Sequence, residues 1–228
     1  LAQQALARGV DVHAAYGMSE TCPFLTVADM MATRDPQAPI AVRTTTGKPA
    51  PLVQIRVVDA GMNDVPRDGK STGEIVARAP WLTQSYLKND DGTRALWQGG
   101  WLHTGDVGLF DQSGTLRITD RLKDVIKTGG EWVSSLELEN LASKVAGVTE
   151  AAAIGVTDPK WGERPLLVIV CADAADETVT RLHTAFAAAV ADGVLSKWAV
   201  PDRIEIVAAL PKTSVGKLDK KALRTRYC

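Results

Sequence analysis

Four short stretches of the sequence hold residue types that handle charged substrates. They are Tyr16-Gly-Met-Ser-Glu20, Thr104-Gly-Asp106, Asp120-Arg-Leu-Lys-Asp-Val-Ile-Lys-Thr-Gly-Gly130 and Pro211-Lys-Thr-Ser-Val-Gly-Lys217. Hydroxyl and ammonium groups bind anionic oxygens, while carboxylates bind hard cations or accept bonds from hydroxyls. Taken singly, each stretch also fits an ordinary role. The first makes a polar turn, Gly-Asp pairs fill loops, and Gly129-Gly130 suits a hairpin. The basic tail of Lys212, Lys217, Lys220, Lys221, Arg224 and Arg226 suits a solvated surface.

The elements around these stretches would have to position them. Residues 1–8 read as a helix end and residues 12–15 as a strand, with Tyr16-Gly-Met-Ser-Glu20 in the following turn, the usual place for ligand sites in α/β sheets. Between residues 47 and 120 short strands alternate with turn signals. Val53, Ile55 and Val57 alternate with Gln54 and Arg56, residues 73–79 make another strand, and Asp111-Gln-Ser-Gly114 joins two more. This stretch reads as a small β-rich subdomain.

From Arg121 onward the order is hairpin, helix, strand, strand, helix, strand, an α+β pattern. Ser134 and Glu137 form a capping box, Leu138, Leu141, Ala142 and Val145 share a face, and Gly147 is expected to stop that helix. A second helix carries Val179, Leu182, Phe186 and Val190 and ends near Gly193. Residues 151–156, 165–171 and 203–207 read as core strands.

The chain has 228 residues, 45% hydrophobic and 23% charged, enough for one large core or two modest ones. Its 26 basic and 27 acidic residues leave a net charge of −1, so no global field favours nucleic acid or an anionic membrane. A small-molecule partner fits better. Cys22, Cys171 and Cys228 are odd in number and widely spaced, which indicates neither a disulfide framework nor a zinc site and suits a reducing cytoplasm. The longest apolar run, residues 165–172, is far short of the ~18 residues of a membrane span. The sequence starts at Leu1, inside an apparent helix, and reads as a fragment.

The four stretches in this order, spread over the whole chain, resemble the adenylate-forming superfamily of acyl-CoA synthetases, adenylation domains and firefly luciferase. Gly17-Met-Ser-Glu-Thr-Cys-Pro23 and Gly129-Gly-Glu-Trp-Val-Ser-Ser135 look most like fatty-acyl-CoA ligases, including the methylthiopropionate-CoA ligase type. The resemblance implies α/β and α+β architecture. Residues 1–120 would be the tail of a large N-terminal domain ending in its β subdomain, and residues 121–228 a small mobile C-terminal domain. It also implies ATP, Mg²⁺ and coenzyme A as cofactors, and a fatty or other small aliphatic carboxylic acid as substrate.

The implied roles suit the side chains. Tyr16 would offer a face for adenine, Gly17 and Ser19 would line the α-phosphate, and Ser19 keeps the hydroxyl of the family's more frequent Thr. Glu20 would hold Mg²⁺. Asp106 would accept bonds from both ribose hydroxyls, with Arg121 supporting the same sugar. Lys217 would bridge carboxylate and α-phosphate during adenylation. Lys123 would be the hinge of a domain rotation that brings Lys127, Gly129 and Gly130 to the site so that the pantetheine arm can pass. Lys217 would also be open to control by acetylation, which removes its charge.

Departures are present. The family's Gly/Ser/Thr-rich phosphate loop is not found before Tyr16, and Thr44-Thr-Thr-Gly47 lacks the pattern, so the isolated chain is expected to be inactive. Ala15 stands where many relatives have Gly, and its methyl could narrow the acyl path. The alternatives are an adenylation domain loading a carrier protein and a non-catalytic nucleotide- or CoA-binding module.

Overall fold

The computed structural model describes residues 1–31, 35, 38–172, 174–214 and 216–228; Val215, inside the fourth stretch, lies outside them. The chain forms two compact units, Leu1–Leu122 and Lys123–Cys228. The boundary falls two residues later than the sequence suggests, because Arg121 still belongs to a strand and pairs with Asp106.

The first unit opens with helix α1 (Ala2–Leu6) and a three-stranded antiparallel sheet of β1 (Ala15–Tyr16), β2 (Thr26–Val27) and β3 (Lys48–Pro49), with α2 (Ile40–Thr44) between β2 and β3. The strand expected at 12–15 therefore starts at Ala15 and takes in Tyr16, whose carbonyl accepts the Leu25 N–H at 2.7 Å.

A four-stranded antiparallel meander follows: β4 (Gln54–Val58), β5 (Gly73–Arg78), β6 (Leu102–Phe110) and β7 (Leu116–Arg121), with α3 (Asp90–Leu96) before β6. Ile55 and Val57 are buried while Gln54 is exposed, the period-2 pattern that the sequence carries. The Asp111 carboxylate accepts the N–H groups of Ser113 and Thr115 at 2.9 and 3.0 Å, which sets the β6–β7 turn.

The second unit is built on one sheet. Strands β8 (Ile126–Thr128) and β9 (Glu131–Val133) form a hairpin; β10 (Val148–Asp158) and β11 (Gly162–Cys171) form a longer one; and β12 (Arg203–Ile206) joins β11 in parallel. Successive residues of β11 point to opposite faces. Leu167 and Ile169 pack with Phe186, Leu182 and Leu138 on α5 (Ala175–Ala191) and α4 (Ser135–Ala142), while Leu166 and Val168 pack with Leu210 and Leu223. Both faces are covered, which explains the unbroken apolar run of residues 165–170.

Two expectations are corrected here. Helix α4 ends at Ala142, before Gly147, since past the Ser143 cap the backbone turns through i→i−3 bonds, from Lys144 N–H to the Leu141 carbonyl and from Val145 N–H to the Ala142 carbonyl. The basic tail is not merely a solvated surface but forms helix α6 (Lys220–Tyr227), with Leu223 2% exposed against the sheet. Lys220 Nζ meets Ser135 Oγ and Glu139 Oε1, both at 2.7 Å, and Glu139 Oε1 also accepts the Ala153 N–H at 2.8 Å. No helix among the described residues is long and apolar enough to cross a membrane.

Arg164, 9% exposed, ties the sheet to the segment before β12. Its guanidinium donates to Thr128 Oγ1 at 3.2 Å, the Trp198 carbonyl at 2.7 Å and both oxygens of Asp202. The bond from Arg164 holds the Asp202 carboxyl below its ordinary range. A depressed carboxyl stabilises the fold at neutral pH, and that contribution is lost as pH falls through the depressed value. Asp202→Asn is expected to flatten the fall in urea midpoint between about pH 7 and about pH 3; an unchanged slope would mean that the pair contributes nothing.

Candidate functional site

In the first unit the second and third strands of the meander do not match in length. Between the pairs Glu74↔Val107 and Val76↔His103, β5 advances two residues and β6 four, so Thr104-Gly105-Asp106 buckles out of the ladder. Bulges of this kind re-aim side chains. Gly105 takes φ +68°, a left-handed value that glycine adopts without strain.

The Asp106 carboxylate receives the Tyr16 hydroxyl at 2.7 Å on Oδ2, and Arg121 Nε stands 3.7 Å from Oδ1. That second separation is too long for a hydrogen bond. The Arg121 side chain is 60% exposed and can turn to a ligand; that of Asp106 is 16% exposed. Burial pushes the Tyr16 hydroxyl well above its ordinary value, so it stays a donor to the carboxylate.

Tyr16 differs from the sequence expectation. Its ring is 8% exposed, packed in a core with Leu25, Ile75, Leu102 and Leu116, which leaves little face for a base. Its hydroxyl instead donates to Asp106. Gly17 sits where a Cβ would meet Pro23 O at 2.0 Å, so the chain can cross itself only without a side chain.

After Gly17 the chain makes a single 3₁₀ turn at Ser19–Thr21, closed by Thr21 Oγ1, which accepts the Met18 N–H at 2.8 Å and donates to the Met18 carbonyl at 2.9 Å. Ser19 is exposed. Glu20 Oε1 accepts the Tyr86 hydroxyl at 2.7 Å, and the Glu20 carbonyl accepts the Thr83 N–H at 2.9 Å. This bond to Glu20 raises the Tyr86 pKa. No cluster of three metal-ligating side chains exists among the described residues. A lone carboxylate suits Mg²⁺, which commonly takes one or two carboxylates with phosphate oxygens and water.

The second unit presents two further features. The β8–β9 hairpin turns through Gly129 (φ +58°) and Gly130 (φ +86°), and a Cβ on Gly130 would meet nothing within 4 Å. The Gly129 N–H donates to the Trp161 carbonyl at 3.0 Å. Trp161 and Trp198 lie with ring centroids 4.7 Å apart, with Lys160 Nζ 4.6 Å from the first centroid and Lys197 Nζ 4.8 Å from the second. Lys127 is exposed, its ammonium 5.6 Å from the Trp132 centroid. Paired indoles beside ammonium groups make a surface able to take an aromatic base bearing phosphates.

Lys217 ends a tight loop. Its carbonyl accepts the Thr213 N–H at 2.7 Å, Asp219 N–H bonds the Pro211 carbonyl at 2.8 Å, and the Asp219 side chain caps α6 through Ala222 N–H at 3.0 Å. Its side chain is exposed and meets no ion-pair partner among the described residues. Lys123 is exposed too, and its carbonyl accepts a bond from Arg224 at 2.9 Å; Arg224 also pairs with Asp124 at 2.6 Å.

Sequence reading missed Tyr86, Glu74, His103, Trp161 and Trp198. Only the tryptophans gave a signal, since aromatic residues next to lysines recur at Lys160-Trp161 and Lys197-Trp198.

Comparison with known proteins gives two matches to family models: residues 1–87 to that of the AMP-binding enzymes and residues 137–217 to that of the AMP-binding enzyme C-terminal domain. The chain is 42% identical over 223 residues to the 3-methylmercaptopropionyl-CoA ligase of Ruegeria lacuscaerulensis, covering 96% of this chain and 40% of that protein. It is 39% identical to the long-chain-fatty-acid–CoA ligase of Thermus thermophilus, with the same coverage. The chain thus spans about 40% of the length of these curated relatives. Among solved structures, the amide bond synthetase McbA of Marinactinospora thermotolerans matches with a TM-score of 0.74 and 34% identity, over 93% of this chain and 41% of that one.

Gly17→Ala should cost the upper end of the ~1–3 kcal/mol typical of overpacking, because backbone lies on the far side of the clash. Gly114→Ala, with φ +77° and open space around it, should cost about 1 kcal/mol from backbone strain alone. Thermal unfolding of both variants checks the ranking; equal shifts would remove the case for a close crossing at Gly17.

Proposed function

Because this chain belongs to the adenylate-forming superfamily of AMP-binding enzymes, we propose that it is the C-terminal share of an ATP-dependent acyl-CoA synthetase acting on a fatty or other small aliphatic acid. In this reading the first unit, Leu1–Leu122, closes the large nucleotide-binding domain and the second, Lys123–Cys228, forms a mobile domain. The observation that carries it is the Asp106 carboxylate, bulged away from β5, held from one side by Tyr16 and left open beside Arg121.

A carboxylate with two acceptor oxygens matches the vicinal hydroxyls of ribose, and the exposed Arg121 can add a donor to the same sugar. Gly17 and Ser19 would line the α-phosphate. Glu20, steadied by Tyr86, would hold Mg²⁺, which screens the triphosphate when bound. In adenylation an oxygen of the acid attacks the α-phosphorus, the bond to the bridging oxygen breaks and pyrophosphate leaves. Two anions meet in that step, and the Lys217 ammonium lies on a loop whose base is fixed and whose side chain is unengaged, as a movable cation should be.

Thioester formation needs the thiol sulfur to reach the acyl carbon while AMP leaves and the thiol proton passes to solvent. The hairpin of Lys127, Gly129 and Gly130 has the small profile that a pantetheine arm requires. Trp161 and Trp198 with Lys160 and Lys197 suit the phosphorylated adenosine of CoA. Lys123, at the boundary of the units, is the proposed hinge. The cytoplasm, which holds both ATP and CoA, suits this reaction. The likeness to an amide bond synthetase makes the acceptor the part of this reading to check, so product analysis should compare CoA with an amine and with a carrier protein.

The two lysine and glycine sites should fail in opposite halves of the reaction, assayed in the complete enzyme that contains this chain. Lys217→Ala is expected to lower acyl-AMP formation by roughly 10²–10³-fold, yet to convert supplied acyl-AMP and CoA at near the normal rate. Gly130→Leu should form acyl-AMP and let it accumulate. Proportional loss of both half-reactions in both folded variants would point to one static site.

A further inference from the structure

The bulge that carries Asp106 needs support from outside its own three residues as well as from Thr104. Extra residues in a ladder leave backbone groups unmatched, and each unmatched buried group is costly. Side chains take these groups over. Thr104 Oγ1 donates to the Ile75 carbonyl at 2.7 Å and accepts the Asp106 N–H at 3.1 Å, while the Leu122 N–H reaches the Gly105 carbonyl at 2.8 Å. The Gly105 N–H goes to Glu74 Oε1 at 3.2 Å.

Glu74 is itself held. Its other oxygen meets His103 Nδ1 at 2.9 Å, and His103 Nε2 faces the Gln98 carbonyl at 3.1 Å. The Glu74 and His103 side chains are each 16% exposed, which leaves them little water to turn to. The carboxylate thus has one oxygen committed to the His103 ring and the other to the Gly105 N–H.

We propose that Glu74, oriented by His103, is a positioning residue for the nucleotide: it fixes the left-handed Gly105 peptide and so aims the Asp106 carboxylate at the ribose hydroxyls. Glu74 touches no substrate in this arrangement. The inference rests on the assignment of Asp106 to the ribose. A merely structural role would weaken the use of every nucleotide alike, whereas a positioning role weakens the reading of the sugar.

The test is acid-dependent ATP–pyrophosphate exchange by the complete enzyme, with ATP and with 2′-deoxy-ATP. Glu74→Ala is expected to raise KM for ATP about tenfold with a smaller change in kcat, and to cut the preference for ATP over 2′-deoxy-ATP by about the same factor. Glu74→Gln keeps an acceptor for Gly105 and should restore most of that preference. His103→Phe leaves Glu74 present but unoriented and should lower the preference by a second route, whether or not Glu74→Ala folds. In an Asp106→Asn background, Glu74→Ala should change the preference no further. An intact preference in Glu74→Ala or His103→Phe, or a further loss in the Asp106→Asn background, overturns the positioning role. Should Asp106→Asn itself leave the preference unchanged, the ribose assignment fails first and takes this inference with it.

Discussion

The two residues that β6 has in excess of β5 are the constraint on which the nucleotide side of this chain depends. In a regular ladder Asp106 would have its backbone groups paired and its side chain set by the pleat. The excess breaks the pairing with β5 while Asp106 stays paired to Arg121 on β7, and Glu74, Thr104 and Leu122 bond the backbone groups of the bulge. The backbone is thereby satisfied in a shape that the sheet alone would not choose. Tyr16, arriving from a different sheet, adds a donor from the core side, so the carboxylate is fixed at one oxygen and available at the other. Local irregularity held by many bonds is how an active site obtains a rigid side chain away from a regular element.

The second unit carries two exposed loops, the Lys217 loop and the glycine hairpin, on one small body. Its β10–β11 hairpin is buried on both faces, by α4 and α5 on one side and by α6 on the other. The Lys217 loop leads into α6, and the glycine hairpin runs through β9 into α4. Lys220, Ser135 and Glu139 join those two helices through nearly buried contacts of 2.7 Å. Both loops therefore rise from a single stiff base, and a rotation of the unit would carry them together, exchanging one for the other without reshaping either.

Much of this was legible in the sequence where the signal is local. Alternation marked Ile55 and Val57, an Asp-led turn marked Asp111, and the Ser134 cap marked the start of α4. The motif order carried the family. What stayed hidden depends on partners distant in the chain. Nothing near Glu20 announces Tyr86, 66 residues away, and nothing near Gly105 announces Glu74, 31 residues away. The burial of Tyr16 follows from Leu25 and the later strands closing over it, which no window around the motif contains. Helix α6 was masked by its charge, since Leu223 is its only fully buried residue among many lysines and arginines.

The ribose anchor is the claim from which the other proposed roles take their places, because Lys217, Glu20 and the hairpin are all proposed to act on a nucleotide held by Asp106. It can be tested by the structure of the complete enzyme with a non-hydrolysable acyl-sulfamoyl adenosine bound. The account expects both ribose hydroxyls within hydrogen-bond reach of the Asp106 carboxylate, with the Tyr16 hydroxyl still on Oδ2. A sugar held elsewhere, with Asp106 facing solvent or protein alone, would contradict it.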